Sequence, residues 1–154
     1  MRADGPALSE ALFRLPADAL SVRDGLRRAF AAEPLLSLTE DDRGTAQIVL
    51  AEVLNNVVEH AGAAGRGPIL LALSLDGGLL HCRVEDGGEA MPGGALPAGP
   101  PRDPAALPEG GFGWHLIRLL CLGLRYERAG DRNRLSFSLP AERSPRRDGD
   151  CLRL

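Results

Sequence analysis

Hydrophobic and polar residues recur with two different spacings along the chain, and turn residues separate the runs. Residues 8–15 alternate loosely with the period of a strand and stop at a proline, which predicts an edge strand. The runs 18–32 and 39–61 have helical composition, and the second opens with a threonine and three acidic residues that suit a helix start. The first part of the chain therefore predicts one strand followed by two helices.

The second part of the chain adds four strands and a third helix. Residues 69–75 and 79–86 are two strand-like runs joined by an Asp-Gly-Gly turn, which is typical of a hairpin. The remaining elements are a short apolar helix at 113–122, which ends at Gly123, and two strands at 124–128 and 134–139. The last fourteen residues, 141–154, are predicted to form a solvated tail.

Proline and glycine are concentrated in one stretch, residues 92–110, which holds six of the twelve prolines and four glycines. A segment of this length without periodicity inside a compact domain is either a functional lid or a linker. The chain beyond it is too short for a separate domain. We therefore assign 93–110 to a lid within one domain that spans 8–140.

The second helix divides into two faces when residues 50–60 are plotted at 100° per residue. One face is apolar and predicts burial: Leu50, Ala51, Val53, Leu54, Val57 and Val58. The other face is polar: Glu52, Asn55, Asn56, Glu59 and His60. Solvent exposure explains most polar faces, but two adjacent asparagines disfavour a helix. An amide oxygen one turn from a carboxylate is what a magnesium–phosphate site with a general base requires.

Two glycine-containing motifs add candidate chemistry. Asp86 ends a strand-like run in which positions 80, 82, 84 and 86 share one face, so its carboxyl group is expected on the apolar side and needs partners there. The glycines of Gly111-Phe112-Gly113 lead directly into the third helix, whose free N–H groups can hold a phosphate. Taken singly, each motif is also compatible with an ordinary turn or hinge.

Composition narrows the class of protein. A chain of 154 residues with 44% hydrophobic and 25% charged residues fits one globular domain. A net charge of −3 argues against a basic nucleic-acid binder, and no apolar run is long enough for a transmembrane helix. All 18 basic residues are arginine, which excludes lysine-dependent chemistry. The three cysteines form no CxxC pair, which favours reduced thiols over a zinc ribbon or a disulfide scaffold.

Taken in order, the three motifs resemble those of the GHKL ATP-binding superfamily, and most closely those of the small bacterial anti-sigma-factor serine kinases. Glu52-Val-Leu-Asn-Asn56-Val-Val-Glu-His60 is similar to the N box, Asp86-Gly-Gly88-Glu-Ala-Met-Pro92 to the adenine box, and Gly111-Phe-Gly113-Trp-His-Leu-Ile117 to the box at the lid hinge. The sequence departs from the pattern at Ala90, where many members have glycine, and at Glu109, where several kinases have a basic residue. The departures leave nucleotide binding better supported than phosphotransfer.

The resemblance implies a fold and a set of site residues. The fold is an α/β sandwich of two layers, with a mixed, mainly antiparallel sheet and ATP held between the helices and the lid. Glu52 would be the catalytic base, Asn56 the magnesium ligand and Asp86 the acceptor of the adenine amino group. Further nucleotide contacts are expected from His60, Gly88, Met91, Gly111, Phe112, Gly113 and Leu116.

Three functions follow from the resemblance. The favoured one is a serine/threonine kinase that uses ATP and Mg²⁺ to phosphorylate a small antagonist protein in trans and also sequesters a regulatory partner. The alternatives are a nucleotide-dependent binding module and a stand-alone histidine-kinase ATPase domain, although His60, His81 and His115 all lie inside the ATP module. The implied partners are a STAS-type anti-sigma antagonist, a sigma factor and a second copy of the chain. The implied location is the cytoplasm. We expect no nucleic-acid or membrane partner.

Overall fold

The computed structural model describes residues 10–61, 67–96 and 111–145. Its three helices are α1 Ala19–Phe30, α2 Glu40–Ala61 and α3 Gly111–Leu120. Its five strands are β1 Ala11–Leu15, β2 Ile69–Asp76, β3 Leu79–Asp86, β4 Leu122–Ala129 and β5 Arg132–Pro140. Short 3₁₀ turns occupy Leu35–Ser37 and Pro92–Gly94.

The five strands form one sheet in the order β1-β2-β3-β5-β4, and each neighbouring pair is antiparallel. The expected α/β fold with a mainly antiparallel sheet is confirmed, and the described strands contain no parallel pair. Because β5 lies beside β3, Asp86 at the end of β3 faces Asn133 near the start of β5. This pairing brings the end of the hairpin and the C-terminal strands to one edge of the molecule.

The helices cover one face of the sheet and leave the other face to solvent. Burial alternates along β3, where every second residue from Leu80 to Asp86 is buried. The expected apolar face of α2 is confirmed, since Leu50, Val53 and Leu54 are fully buried. The helices and the sheet share one core, to which the largest contributions include Leu15, Leu35, Leu71, Leu73, Leu80, Ile117 and Leu139.

Side-chain caps fix the starts of the two long helices. The Asp18 carboxylate accepts hydrogen bonds from the Ser21 hydroxyl at 2.7 Å and the Ser21 amide at 2.8 Å, and these bonds lower the pKa of Asp18 below its usual value. Thr39 Oγ1 accepts from the Asp42 amide at 3.3 Å, as its position before three acidic residues predicts. The starts predicted for α1 and α2 agree with the structure to within one residue.

The expected boundary between the third helix and the following strand is wrong. The helix ends at Leu120 rather than at residue 122, and β4 begins at Leu122. Gly123 lies inside the strand with φ +59°, at an irregularity where the register between β4 and β5 shifts. A short apolar run fits a helix and a buried strand equally well, so a glycine within it can mark a bulge rather than a helix end.

The predicted tail begins too early. Ala141 is buried and its amide donates to the Gly78 carbonyl, while Ser144 donates to the Ser37 carbonyl at 2.7 Å. Glu142 is held by both of its main-chain groups, because its carbonyl accepts from the Thr39 amide and its amide donates to an Asp42 carboxylate oxygen. The chain is therefore attached to the body through Ser144. Residues 146–154 lie outside the described residues, as does the part of the predicted lid from 97 to 110.

The helices do not have the character of membrane spans. At 22 residues α2 is long enough to cross a bilayer, but its first turn alone carries Glu40, Asp41 and Asp42. In the described ranges no helix is both long and apolar enough to cross.

Gly25 allows α1 to pack closely against β1, and its replacement tests that contact. A Cβ atom at Gly25 would lie 1.9 Å from Cδ2 of Leu15, a side chain that is only 1% exposed and has little room to move. We expect Gly25→Ala to lower the free energy of unfolding by about 1–3 kcal/mol, the usual effect of overpacking. The measurement is urea denaturation followed by circular dichroism.

Gly44→Ala is the matched control, because Gly44 also lies in a helix but has no heavy atom within 4 Å of its Cβ position. Alanine favours the helix there, so this variant should be more stable by up to about 1 kcal/mol. Equal effects of the two substitutions would contradict the packing argument.

Candidate functional site

A small pocket lies where β3 and β5 meet α2 and α3. Its wall is mostly apolar or aromatic and includes four side chains that can make directional polar contacts. The lining residues are Val57, His60, Asp86, Met91, Trp114, Tyr126, Asn133 and Leu135. The structure thus brings together His60 from the first motif with Asp86 and Met91 from the second. A mainly apolar pocket with a few fixed polar groups suits a flat heteroaromatic ring.

Asp86 is the buried carboxylate of this pocket, with 9% of its surface exposed. Its position on the apolar side of β3 agrees with the alternation seen in the sequence. One oxygen, Oδ1, accepts hydrogen bonds from the Gly88 amide at 2.9 Å and from Asn133 Nδ2 at 3.0 Å. The other oxygen, Oδ2, accepts no hydrogen bond from the part of the chain that the structure describes. Asp86 is therefore fixed through one oxygen and retains the other as a free acceptor.

Asn133 is the centre of a hydrogen-bond network that the sequence analysis missed. Its Nδ2 donates to Asp86 and also to the Glu89 carbonyl at 2.8 Å. Its Oδ1 accepts from the Tyr126 hydroxyl at 2.5 Å and from Arg128 Nη1 at 3.0 Å. The sequence analysis placed this asparagine in a turn, but it shares the core face of β5 with Leu135 and the following alternate residues. Extending the alternation of β5 by two residues would have found it.

The same side chains hold the loop that follows Asp86. The Tyr126 hydroxyl accepts from the Met91 amide at 2.9 Å, and Arg128 Nη1 donates to the Gly88 carbonyl at 2.7 Å. Buried hydrogen bonds of this kind contribute about 1 kcal/mol each and cost more when only one partner is removed. The loop at Gly88 and Met91 is therefore shaped by hydrogen bonds from strands β4 and β5.

The polar residues of α2 fall into two groups. Asn55 and Glu59 are exposed, as expected for a solvated face, whereas Glu52 and Asn56 are half-buried. The latter two face Gly113 in the first turn of α3, because a Cβ atom built on Gly113 would lie 2.7 Å from Glu52 Oε2 and 3.4 Å from Asn56 Nδ2. A side chain at this position would press on the ends of both side chains, so glycine leaves them the most room. The polar stripe is thus a contact surface with the start of α3.

Asn56 has an unsatisfied group. Its Nδ2 atom is buried and has no hydrogen-bond partner among the described residues. A buried donor without a partner costs about 1–3 kcal/mol, so such groups persist mainly where a ligand or water completes them. The amide of Asn56 therefore has the character of a binding group. His60 differs, because its Nε2 lies 3.2 Å from the Ala90 carbonyl and donates to it.

The start of α3 provides the remaining predicted site residues. Gly111 begins the helix and Gly113 is buried, so the free N–H groups of the first turn lie beside Glu52 and Asn56. Of Gly111 and Phe112 only the helical backbone is described. Leu116 is half-buried on α3 and is not among the residues that line the pocket, which the helix reaches through Trp114 instead.

Acidic and thiol groups do not form a metal centre in the described ranges. No group of three His, Cys, Asp or Glu residues there is arranged to hold an ion. A cation at this site would have to take most of its ligands from substrate oxygens and water, as Mg²⁺ commonly does. Burial raises the pKa of Cys82 well above its usual value and that of Cys121 to about 12, so both thiols stay protonated and unreactive at neutral pH.

The fold and the site together define an ATP-binding domain in which an antiparallel sheet carries a buried aspartate opposite two helices. The family model described as the histidine kinase-like ATPase domain matches residues 15–139. The chain belongs to this family, and ATP is its ligand. The comparison with curated proteins finds no match.

Asp86→Asn tests whether this carboxylate selects adenine. The two donors at Oδ1 require an acceptor there, so the amide oxygen takes that place and the amide nitrogen replaces Oδ2. A donor would then face the amino group of adenine, and we expect the affinity for ATP to fall about 10- to 100-fold while that for GTP, which has a carbonyl at this position, falls less. Calorimetry with both nucleotides measures the ratio.

Glu85→Gln is the control for this substitution. Glu85 precedes Asp86 but lies on the outer face of the sheet, where it pairs with Arg134 at 2.8 Å. The same change of carboxylate to amide there should leave both affinities unchanged. An unaltered ratio of ATP to GTP affinity in Asp86→Asn would overturn the assignment.

Proposed function

We propose that the chain is a protein kinase that transfers the γ-phosphate of ATP to a serine or threonine hydroxyl on a separate small protein. The observation that supports this most is the position of Glu52. Its carboxylate lies against the first turn of α3 and beside Asn56. A base, a polar amide and free helix N–H groups are the parts that phosphoryl transfer requires.

The proposed reaction is a single displacement at phosphorus. Glu52 takes the proton of the acceptor hydroxyl, the hydroxyl oxygen forms a bond to the γ-phosphorus, and the bond from that phosphorus to the β,γ-bridging oxygen breaks. The products are a phosphorylated protein and ADP, with the proton on the glutamate. The N–H groups of Gly113 and its neighbours in the first turn of α3 stabilise the negative charge on the phosphates.

Asn56 is the residue that fits a magnesium ion. Its amide is half-buried beside the start of α3, and its buried Nδ2, which has no partner among the described residues, would donate to a phosphate oxygen while Oδ1 faces the ion. When bound, Mg²⁺ would neutralise phosphate charge and orient the triphosphate. The Oδ1 atom of Asn56 would be the protein ligand, with phosphate and water oxygens supplying the others.

The proposed partners follow from the resemblance to anti-sigma-factor kinases. The acceptor would be a STAS-type antagonist in the bacterial cytoplasm, and phosphorylation would release it by adding negative charge at the interface. A sigma factor would be the sequestered protein, held by a dimer of the chain. Two of the three histidines are already engaged, His60 with Ala90 and His81 with Ser138, which disfavours a histidine of this module as phosphoacceptor.

Glu52 and Asn56 should separate chemistry from binding. Glu52→Gln removes the base, so phosphotransfer should fall by about 10²- to 10⁴-fold while ATP affinity changes little. Asn56→Ala removes the metal ligand, so the affinity for ATP should fall in the presence of magnesium and change less in its absence. Affinities are measured by calorimetry, and transfer is measured with radiolabelled ATP.

The same helix provides matched controls. Glu59→Gln and Asn55→Ala make the same chemical changes at exposed positions and should leave both measurements unchanged. If Glu52→Gln abolished nucleotide binding, its role would be structural and the proposed base would be wrong.

The chemical nature of the product tests the acceptor. We expect incubation with radiolabelled ATP, magnesium and purified STAS-type antagonists to yield a phosphoprotein that survives acid, because serine and threonine phosphoesters are acid-stable. An acid-labile product would indicate a phosphohistidine and favour the histidine-kinase alternative. No product with any antagonist, together with tight ATP binding, would favour a nucleotide-dependent binding module, in line with the acidic Glu109.

A further inference from the structure

A second concave surface lies between α1 and α2. We call it the α1–α2 groove. Its floor is apolar or small, formed among others by Leu26, Phe30 and Gly44, and three arginines border it. The groove shares no lining residue with the pocket that contains Asp86. It therefore has no place in the nucleotide site and needs a separate explanation.

The charge of the groove is opposite to that of the chain. Arg23, Arg27 and Arg43 line it against one carboxylate, Glu40, although the chain carries a net charge of −3. Arg23 and Arg27 are exposed, and no carboxylate lies within 4 Å of either in the described ranges. Like charges four residues apart weaken a helix slightly. By contrast, Arg28 on the neighbouring face is paired with Asp24.

Arg43 has a structural role that also fixes the shape of the groove. Its Nη2 donates to the Phe30 carbonyl at 2.8 Å, which satisfies an otherwise unpaired group at the end of α1. The guanidinium carbon lies 5.8 Å from the centre of the Phe30 ring. The positive charge is thereby held at the groove before any partner binds.

Exposed apolar side chains lie next to the groove. Leu20 is 79% exposed and lies one turn before Arg23 and two turns before Arg27, on the same side of α1. Ile48 is 50% exposed and shares a face of α2 with Gly44 and Ala51. An amphipathic helix with acidic residues on its polar side would match this combination of a recessed apolar floor and a basic border.

From this charge and shape we infer that the α1–α2 groove binds an acidic amphipathic segment of a partner protein. A flat anionic membrane fits less well, because Phe30 is buried between the two helices and Glu40 would face the lipid head groups. The groove and the nucleotide pocket have no lining residue in common, so we expect binding in the groove not to require ATP.

The probe for the test is a synthetic, fluorescein-labelled peptide of about 18 residues, or five helical turns, with leucine on one face and glutamate on the other. Its two controls are a scrambled peptide of the same composition and a peptide in which lysine replaces glutamate. We expect the full chain to bind the first peptide in fluorescence anisotropy, with or without saturating ATP, and to bind both controls at least about tenfold more weakly.

Three variants of the full chain locate the binding. Arg23→Glu/Arg27→Glu should weaken binding of the acidic peptide by about tenfold or more, whereas Arg14→Glu/Arg28→Glu makes the same change in net charge outside the groove and should leave it unchanged. Gly44→Leu places a larger side chain in the groove, and its Cβ atom meets no heavy atom within 4 Å. It should weaken binding as strongly while ATP affinity and thermal stability stay at or above those of the unaltered chain.

Other results of these experiments would contradict the inference or identify a different occupant of the α1–α2 groove. Equal binding to all variants, or binding that Gly44→Leu leaves unchanged, would overturn the inference, since the peptide would then lie elsewhere or only on exposed arginines. A dimer in light scattering that Gly44→Leu converts to a monomer would show that a second copy fills the groove. Binding to phosphatidylserine vesicles that the same variants abolish, without binding to the acidic peptide, would assign the surface to a membrane.

Discussion

The pairing of Asp86 with Asn133 is the interaction on which the candidate nucleotide site depends. A carboxylate with 9% exposure is stable only if its charge is met by donors, and Asn133 and the Gly88 amide supply them at one oxygen. Because Asn133 also binds Tyr126, Arg128 and the Glu89 carbonyl, the end of β3, its loop and strands β4 and β5 form one connected network. The antiparallel register places both residues opposite each other.

Helix α2 connects this network to the rest of the molecule by having two unlike faces. Leu50, Val53 and Leu54 anchor it in the core, while Glu52 and Asn56 face the start of α3. The burial of the apolar face therefore fixes the position of the polar residues on the opposite face of the same helix. Gly113 completes the arrangement, since a Cβ atom there would lie 2.7 Å from Glu52 Oε2 and displace the carboxylate.

The sequence predicts the elements well and the contacts between them poorly. Alternation placed Asp86 on the buried side of β3, and the periodicity of residues 50–60 separated the core face of α2 from its polar face, because both signals are local. Asn133 was missed since its importance comes from the register of β5 with β3, a contact between distant residues. The shift at Gly123 was missed for a different reason: a short apolar run does not distinguish helix from strand. The orphaned Nδ2 of Asn56 depends on burial, which composition does not reveal.

The attachment of Glu142 has a mechanical consequence. It ties the first turn of α2, through Thr39 and Asp42, to the chain leaving β5. At the other end of α2, His60 is tied to the loop after β3 through Ala90. A helix that is hydrogen-bonded at both ends to segments following strands of the sheet resists sliding along its own axis. Helix α2 therefore holds Glu52 and Asn56 at fixed positions. Any rearrangement of the domain would then fall on elements that lack such double attachment, and Glu52 and Asn56 would keep one position.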